Sequence, residues 1–203
     1  MALPSEYARF GYRWALAALV FSLGYGVPQI LQVAGVLTFP LDEILIFAPS
    51  LALAPSFVLA MAGLHATRLP AGDPRTLGAI GLAIMYATLV SSVYAIQLSA
   101  VIPGKLAGDS MIATLFSCCG QGQPLTAVDL TGYTLMSLST LVAAPAIQPR
   151  ATRLAMIANG LIAPFLILQT AWPGLIWIGA LWLVTFPLAM GLLARDQWRL
   201  SLS

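Results

Sequence analysis

The sequence predicts an all-α fold: a polytopic transmembrane bundle of six helices with both termini cytoplasmic. Three observations predict it. Of 203 residues, 60% are hydrophobic and 8% charged, whereas a soluble domain carries about 25% charged residues; so few charges cannot coat a soluble fold of this size. The apolar residues gather into runs of about 20, the length that crosses the hydrocarbon core of a bilayer. The arginines fall on alternate connections between those runs and skip the others.

The first run, 14–37, is charge-free from Trp14 to Leu37. It is longer than the 7–15-residue core of a signal peptide and carries Gln29 and Gln32 near its far end, so it reads as a retained span rather than a cleaved leader. The second, 44–64, contains Pro49 and Pro55, and the third is 77–102. Residues 103–128 read as an outer loop, because Ser117, Gly120, Gln121, Gly122, Gln123 and Pro124 crowd its second half. Within it, MIATLFSCC reads as a short helix lying on the surface or dipping in. The fourth span is 129–147. The 41 residues from Leu154 to Ala194 carry no charge, enough for two spans, and the Trp-Pro-Gly at Trp172 to Gly174 divides them into 154–171 and 175–194. All six belong to one transmembrane domain covering residues 1–203.

Orientation follows from the positive-inside rule. Six spans put Arg9, Arg13, Arg68, Arg75, Arg150, Arg153, Arg195 and Arg199 on one side and the lone lysine, Lys105, on the other. The expected location is therefore the cell membrane (a bacterial inner or plasma membrane), multi-pass, N-in and C-in. Trp14 and Trp198 fit the inner aromatic belt, Trp172 and Trp177 the outer one.

The net charge of +2 gives no electrostatic footprint for nucleic acid. Expected partners are membrane lipids, with a membrane-protein partner or a second copy of the chain. The two cysteines, Cys118 and Cys119, are adjacent, a spacing that rarely satisfies disulfide geometry. With one histidine, His65, a zinc site or a Ser-His-Asp triad is not expected, and neither metal nor cofactor is assigned. His65 is read as an interfacial residue capping the last carbonyls of its helix.

The candidate site lies in the outer halves of the spans. Tyr25, Gln29 and Gln32 share one face of the first span, Tyr94 and Gln97 one face of the third, and Asp129, Tyr133, Ser137 and Thr140 one stripe of the fourth; Gln169 lies near the outer end of the fifth. Polar side chains in spans face the bundle interior or a wet cavity, not lipid. The expectation is an outward-opening pocket lined by Tyr25, Gln29, Gln32, Tyr94, Gln97, Asp129, Tyr133 and Gln169, floored by apolar and small residues. The plainer alternative for the glutamines is interhelical hydrogen bonding. For Asp42, Glu43 and Asp129 it is capping of helix N-termini, with Asp129 in the first turn of its span. If any acid here is catalytic, it is Asp129, Asp42 or Glu43. The span prolines Pro28, Pro49, Pro55, Pro145, Pro164 and Pro187 each free a carbonyl and can kink a helix.

Two resemblances follow from these motifs. The order of APSLALAPSF, YATLVSSVYAIQLSAVIP, DLTGYTLMSLSTLVAAP, ANGLIAPF and WLVTFPLAMGLL resembles an uncharacterised family of bacterial six-helix integral membrane proteins, which implies the fold and no activity. FPLDEILIF is similar over about nine residues to the acidic motif of membrane-embedded lycopene cyclases, which implies that Asp42 and Glu43 would protonate an isoprenoid double bond. Those enzymes carry the motif in each half, whereas the second half here has only AVDLTGY, with one acid and no preceding proline. Three functions are carried forward: a membrane protein binding or passing a small or lipophilic ligand, a structural or accessory subunit of a larger membrane complex, and an intramembrane acid-catalysed enzyme on an isoprenoid or lipid.

Overall fold

Pro4 opens a 30-residue helix, α1 (Pro4–Val33), with Glu6 in its first turn. In the computed structural model, which describes residues 4–67 and 73–202, every regular element is helical. Arg68 lies outside the described residues. Next comes α2 (Leu41–Thr67), with Asp42 and Glu43 in its first turn, where carboxylates complement the helix dipole. Asp73 caps α3 (Pro74–Ile96): its side chain accepts the Arg75 N–H, and Pro74 occupies the first helical position, where its missing N–H costs nothing. A π turn over Gln97–Val101 carries α3 into α4 (Ile102–Ala107). Pro103 has no N–H to offer the carbonyl of Ser99, and the ladder there widens, with Ile102 N–H donating to Gln97 O.

Gly108, at φ 78, ends α4: its N–H and that of Asp109 fold back onto Gly104 and Lys105 carbonyls, a termination that needs the left-handed backbone. Asp109 then caps the short α5 (Ser110–Phe116), none of whose residues is buried. The chain re-enters through α6 (Pro124–Ala143), continued by a 3₁₀ turn to Ala146. The last two spans are interrupted helices. The fifth is α7 (Arg150–Gly160) and α8 (Ala163–Leu168), separated by a turn at Leu161 and Ile162. The sixth is a 3₁₀ turn at Pro173–Leu175, then α9 (Ile176–Gly179) and α10 (Trp182–Ser201), separated at Ala180 and Leu181.

Six helical segments are long and apolar enough to cross a membrane: Ser5–Val33, Leu41–Thr67, Pro74–Ala107, Pro124–Ala146, Arg150–Leu168 and Pro173–Ser201. The count agrees with the sequence reading, but the bounds of every span move, most of all the first, which runs from Ser5 to Val33 rather than from Trp14 to Leu37. The third span runs on to Ala107, the fourth begins at Pro124, and the sixth runs on to Ser201. These ends carry a proline, glycine or charge, at Pro103 to Lys105, at Pro124 and from Arg195 to Arg199, that a reading by apolar runs takes as a stop while the helix continues. The outer loop shrinks accordingly. Asp129 sits one turn deeper than expected, in the second turn of α6, where it caps nothing.

The spans form a ring in chain order. Each packs on the next, α1 on α2, α2 on α3, α3 on α6, α6 on α7, α7 on α10, and α10 closes back on α1. Close approach between helices in lipid depends on small side chains. Ala15, Ala18, Ala60, Ala79, Ala83, Ala143 and Ala189 are all buried between helices. The tightest crossing is α1 on α2, where a Cβ added at Gly63 would overlap Gly11 Cα and stand 2.9 Å from Gly11 N. The outer surface is apolar in the manner of a lipid-facing wall: Val20, Leu23, Val27, Val184 and Leu188 are exposed.

An even number of spans places both termini at one end. That end carries the described arginines: Arg9 and Arg13 near the start of α1, Arg75 opening α3, Arg150 and Arg153 opening α7, Arg195 and Arg199 closing α10. It is tied by polar contacts. Thr152 donates to Asp196, whose other oxygen pairs with Arg195 at 3.1 Å. Gln197 donates to Thr67 at 3.0 Å. His65 does not act as the expected carbonyl cap. Its Nδ1 lies 2.7 Å from the hydroxyl of buried Thr76, joining the end of α2 to the start of α3.

Candidate functional site

The end opposite the termini holds a cavity of about 630 Å³, within the size range of small-molecule sites. Its walls come from the last turns of α1, the start of α2, late α3, the loop after α5, the start of α6, and both sides of the break in the sixth span. Two of the chain's irregularities make room for it. The sixth span arrives as the short α9 and restarts at Trp182, so Trp182 turns inward against Tyr133 with ring centroids 4.9 Å apart. The fifth span ends at α8, and Gln169, just beyond it, packs on Gly179.

The floor is aromatic rather than small and apolar as expected. Tyr25, Tyr133 and Trp182 face one another at centroid distances between 4.9 and 6.4 Å. Phe47 stacks on Tyr94 at 5.5 Å, and Tyr94 donates its hydroxyl to Tyr133 at 2.9 Å. Below them Trp182 stacks on Phe186, Phe186 meets Phe57, and Phe57 meets Tyr86. This column fills the middle of the ring and closes the cavity toward the termini.

Of the eight residues singled out in the sequence, seven line the cavity: Tyr25, Gln29, Gln32, Tyr94, Asp129, Tyr133 and Gln169. Several are already occupied. Gln29 donates to Gln32 at 3.2 Å within α1, and Gln32 donates to Asp42 at 2.8 Å, so Gln32 makes an interhelical bond of the plainer reading, tying α1 to α2, and Gln29 supports it. Gln97 lies outside the cavity wall. It is 1% exposed, and its amide clamps the loop after α5, donating to Phe116 O at 2.8 Å and accepting the Cys118 N–H at 3.1 Å. The π turn that begins at Gln97 is thus where the third span grips that loop.

The two acids of the cyclase-like motif are also engaged. Asp42 accepts the Glu43 N–H at 2.8 Å as well as the Gln32 amide. Glu43 pairs with Lys105 at 2.6 Å, and the ammonium stands 5.6 Å from the centre of the Phe39 ring. Asp129 joins no ion pair among the described residues: it is 8% exposed, and its Oδ1, like Glu43 Oε2, has no hydrogen-bond partner. A buried carboxylate oxygen without a donor is costly and needs a reason. Here the reason has a place, because the residue lines the cavity among tyrosines.

Two features escaped the sequence. Cys118 and Cys119 are joined as a disulfide, contrary to expectation. Cys119 adopts φ 81, a left-handed turn that swings adjacent side chains to the same side, and Thr126 and Gln123 hold that turn by accepting the Cys119 and Gly120 N–H groups at 2.8 Å each. The pair lines the cavity, and Cys119 Sγ stands 4.0 Å from Asp129 Oδ2. The second feature is Asn159, wholly buried at the break of the fifth span. It donates to Thr140 at 3.0 Å and accepts from Thr185 at 3.1 Å, joining three spans through one amide. The polar stripe of α6 pointed to Thr140; nothing in ANGLIAPF marked Asn159 as its partner.

Fold and site together define a multi-pass helical membrane protein with an aromatic-floored cavity at the end remote from its termini. Comparison with known protein families, with curated proteins and with solved structures finds no match to this chain. The functional reading therefore rests on the residues themselves.

Proposed function

We propose that this protein binds, or passes, a small lipophilic molecule through the cavity, and that the molecule carries a hydrogen-bond donor or a positive charge for Asp129. The observation that carries the reading is Asp129 itself: buried, with Oδ1 unpartnered, on the wall of a cavity of about 630 Å³ floored by Tyr25, Tyr133 and Trp182. Aromatic faces attract cations as well as apolar groups, and a carboxylate among them favours an amine or ammonium head on an apolar body. In this reading the arginine-rich end is cytoplasmic by the positive-inside rule, the cavity opens outward, and the protein resides in a cell membrane. Bilayer lipid surrounds the ring, and a second copy or a membrane-protein partner packs against its apolar wall.

The isoprenoid-enzyme reading draws less support, since Asp42 and Glu43 are committed to Gln32 and Lys105. Native mass spectrometry of the protein in mild detergent tests the proposal by identifying what the cavity retains. Benzyltrimethylammonium and its uncharged carbon isostere supply a second test through quenching of tryptophan fluorescence. The cation is expected to bind more tightly than the isostere, and Asp129→Asn to remove that preference. Equal binding of both probes, unchanged in the variant, would overturn the role given to Asp129.

A further inference from the structure

We propose that Cys118, Cys119 and Asp129 form a redox-gated site for a thiophilic divalent cation, closed while the cysteines are joined and open once they are reduced. Ligand atoms of these three residues all lie within 4.8 Å of one another. Zinc–sulfur bonds of about 2.3 Å and zinc–oxygen bonds of about 2.0–2.2 Å set sulfur and oxygen roughly 3.5 Å apart around a tetrahedral ion. The observed 4.0 Å from Cys119 Sγ to Asp129 Oδ2 is close to that. Two thiolates and a carboxylate are a donor set that selects soft or borderline cations over calcium or magnesium. The fourth position would face the cavity, as in zinc sites that keep an open coordination position.

Three further observations support a site rather than a chance cluster. Asp129 is more than nine-tenths buried and brings an oxygen with no hydrogen-bond partner. The backbone of the loop is held independently of the sulfur bond, by Gln97 on one side and by Thr126 and Gln123 on the other, so the turn stays beside Asp129 when the bond opens and the two sulfurs separate to bind the ion. Cys119 is exposed, so a reductant can reach it. The chemistry balances. An external dithiol gives two electrons and two protons and becomes a disulfide; the Cys118–Cys119 bond breaks to two thiols. The cation then displaces both thiol protons to solvent and is held by two thiolates and the carboxylate. The disulfide form has no thiolate to offer. None of this requires an organic ligand in the cavity, so it stands or falls separately from the function proposed above.

Cadmium binding to the full-length protein in detergent tests the site. One sample is kept oxidised and one is reduced with a phosphine, which consumes the disulfide without adding a competing thiol. The reduced protein is expected to retain one Cd²⁺ per chain after gel filtration, with a thiolate-to-metal charge-transfer band, and the oxidised protein none. Cys118→Ser with Cys119→Ser should abolish both signals. Loss of an outer-shell partner alone costs about 10–100-fold in metal affinity, so Asp129→Asn should weaken binding at least about tenfold. Where the double serine variant does not fold, alkylation of the reduced wild-type thiols with N-ethylmaleimide makes the same comparison. No cadmium on the reduced protein, equal binding after alkylation or serine substitution, or an affinity untouched by Asp129→Asn would each overturn the proposal.

Discussion

The two ends of the bundle are built on different terms. At the end with the termini, helices cross closely at Gly11 and Gly63, and side-chain pairs join them, Thr152 with Asp196, Gln197 with Thr67 and His65 with Thr76, with the neutral Gln197 Oε1 left unpartnered. Toward the other end the fifth span is interrupted midway and the sixth nearer the cavity, the third passes through a π turn, and a buried carboxylate oxygen on the cavity wall is left without a donor. The first end holds the ring together; the second gives up some of that cohesion for space and unspent polarity. Natural proteins commonly hold function at such a cost. The difference predicts that substitutions at the terminal end lower stability without touching the cavity, and that substitutions at the cavity end do the reverse.

The largest expected effect is at the helix crossing. Gly63→Val drives a branched side chain into the backbone of Gly11, and overpacking of this kind costs about 1–3 kcal/mol, with backbone displacement taking it to the upper end or beyond. Thermal unfolding in detergent should fall by several degrees or the variant should fail to accumulate. Any folded fraction should bind benzyltrimethylammonium normally. A weakened affinity in that fraction would break the comparison by coupling the two ends. Next in size is Asn159→Ala, which strips two side-chain hydrogen bonds, one from buried Thr140 and one from half-buried Thr185, and should cost about 1–3 kcal/mol. Asn159 lies between the two ends, so it sharpens the boundary: stability lost with cavity affinity kept assigns the break in the fifth span to the scaffold. Asp129→Asn runs the other way. Replacing a buried carboxylate, one of whose oxygens lacks a donor, with a neutral amide should leave stability unchanged or raise it by about 1 kcal/mol, while binding of the cationic probe falls. A clear loss of stability in Asp129→Asn would make that carboxylate a structural group after all.

How much of this was legible in the sequence differs between the same two ends. Six spans and the clustering of arginines were readable because lipid imposes long apolar runs and segregated charge. The inward stripe of Asp129, Tyr133, Ser137 and Thr140 was readable because polar groups at 3–4-residue spacing share a helical face. The aromatic floor was not, since Tyr86, Trp182 and Phe186 look like any other large residues in an apolar run until the ring brings four spans around them. The Cys118–Cys119 bond was hidden by a backbone conformation, φ 81 at a non-glycine residue, that no spacing rule forecasts. Its proximity to Asp129 was hidden by a loop that folds back across ten residues. The breaks at Leu161 and Ala180 were hidden too, because membrane helices tolerate proline and glycine with or without interruption.

The smallest expected effect concerns the aqueous fringe of the terminal end. Asp73 caps α3 and pairs with Arg75 at 2.6 Å, and that guanidinium's hydrogen bond holds the carboxyl below its ordinary value. A depressed pKa in the folded state contributes stability that is present above the unfolded value, near about 4, and is lost as pH falls through the folded value. Asp73→Asn keeps a capping oxygen for the Arg75 N–H but removes the charge. The stability gap between wild type and Asp73→Asn should therefore be constant from neutral pH down to about pH 4, then close on further acidification. Salt should narrow it, since the pair is solvent-facing and screened. Thermal unfolding across a pH series in detergent, at low and high salt, measures this directly. A gap that widens on acidification would mean that the polar contacts of the terminal end act through something other than charge, and the contrast with Asp129, whose carboxylate lies buried on the cavity wall, would lose its electrostatic basis.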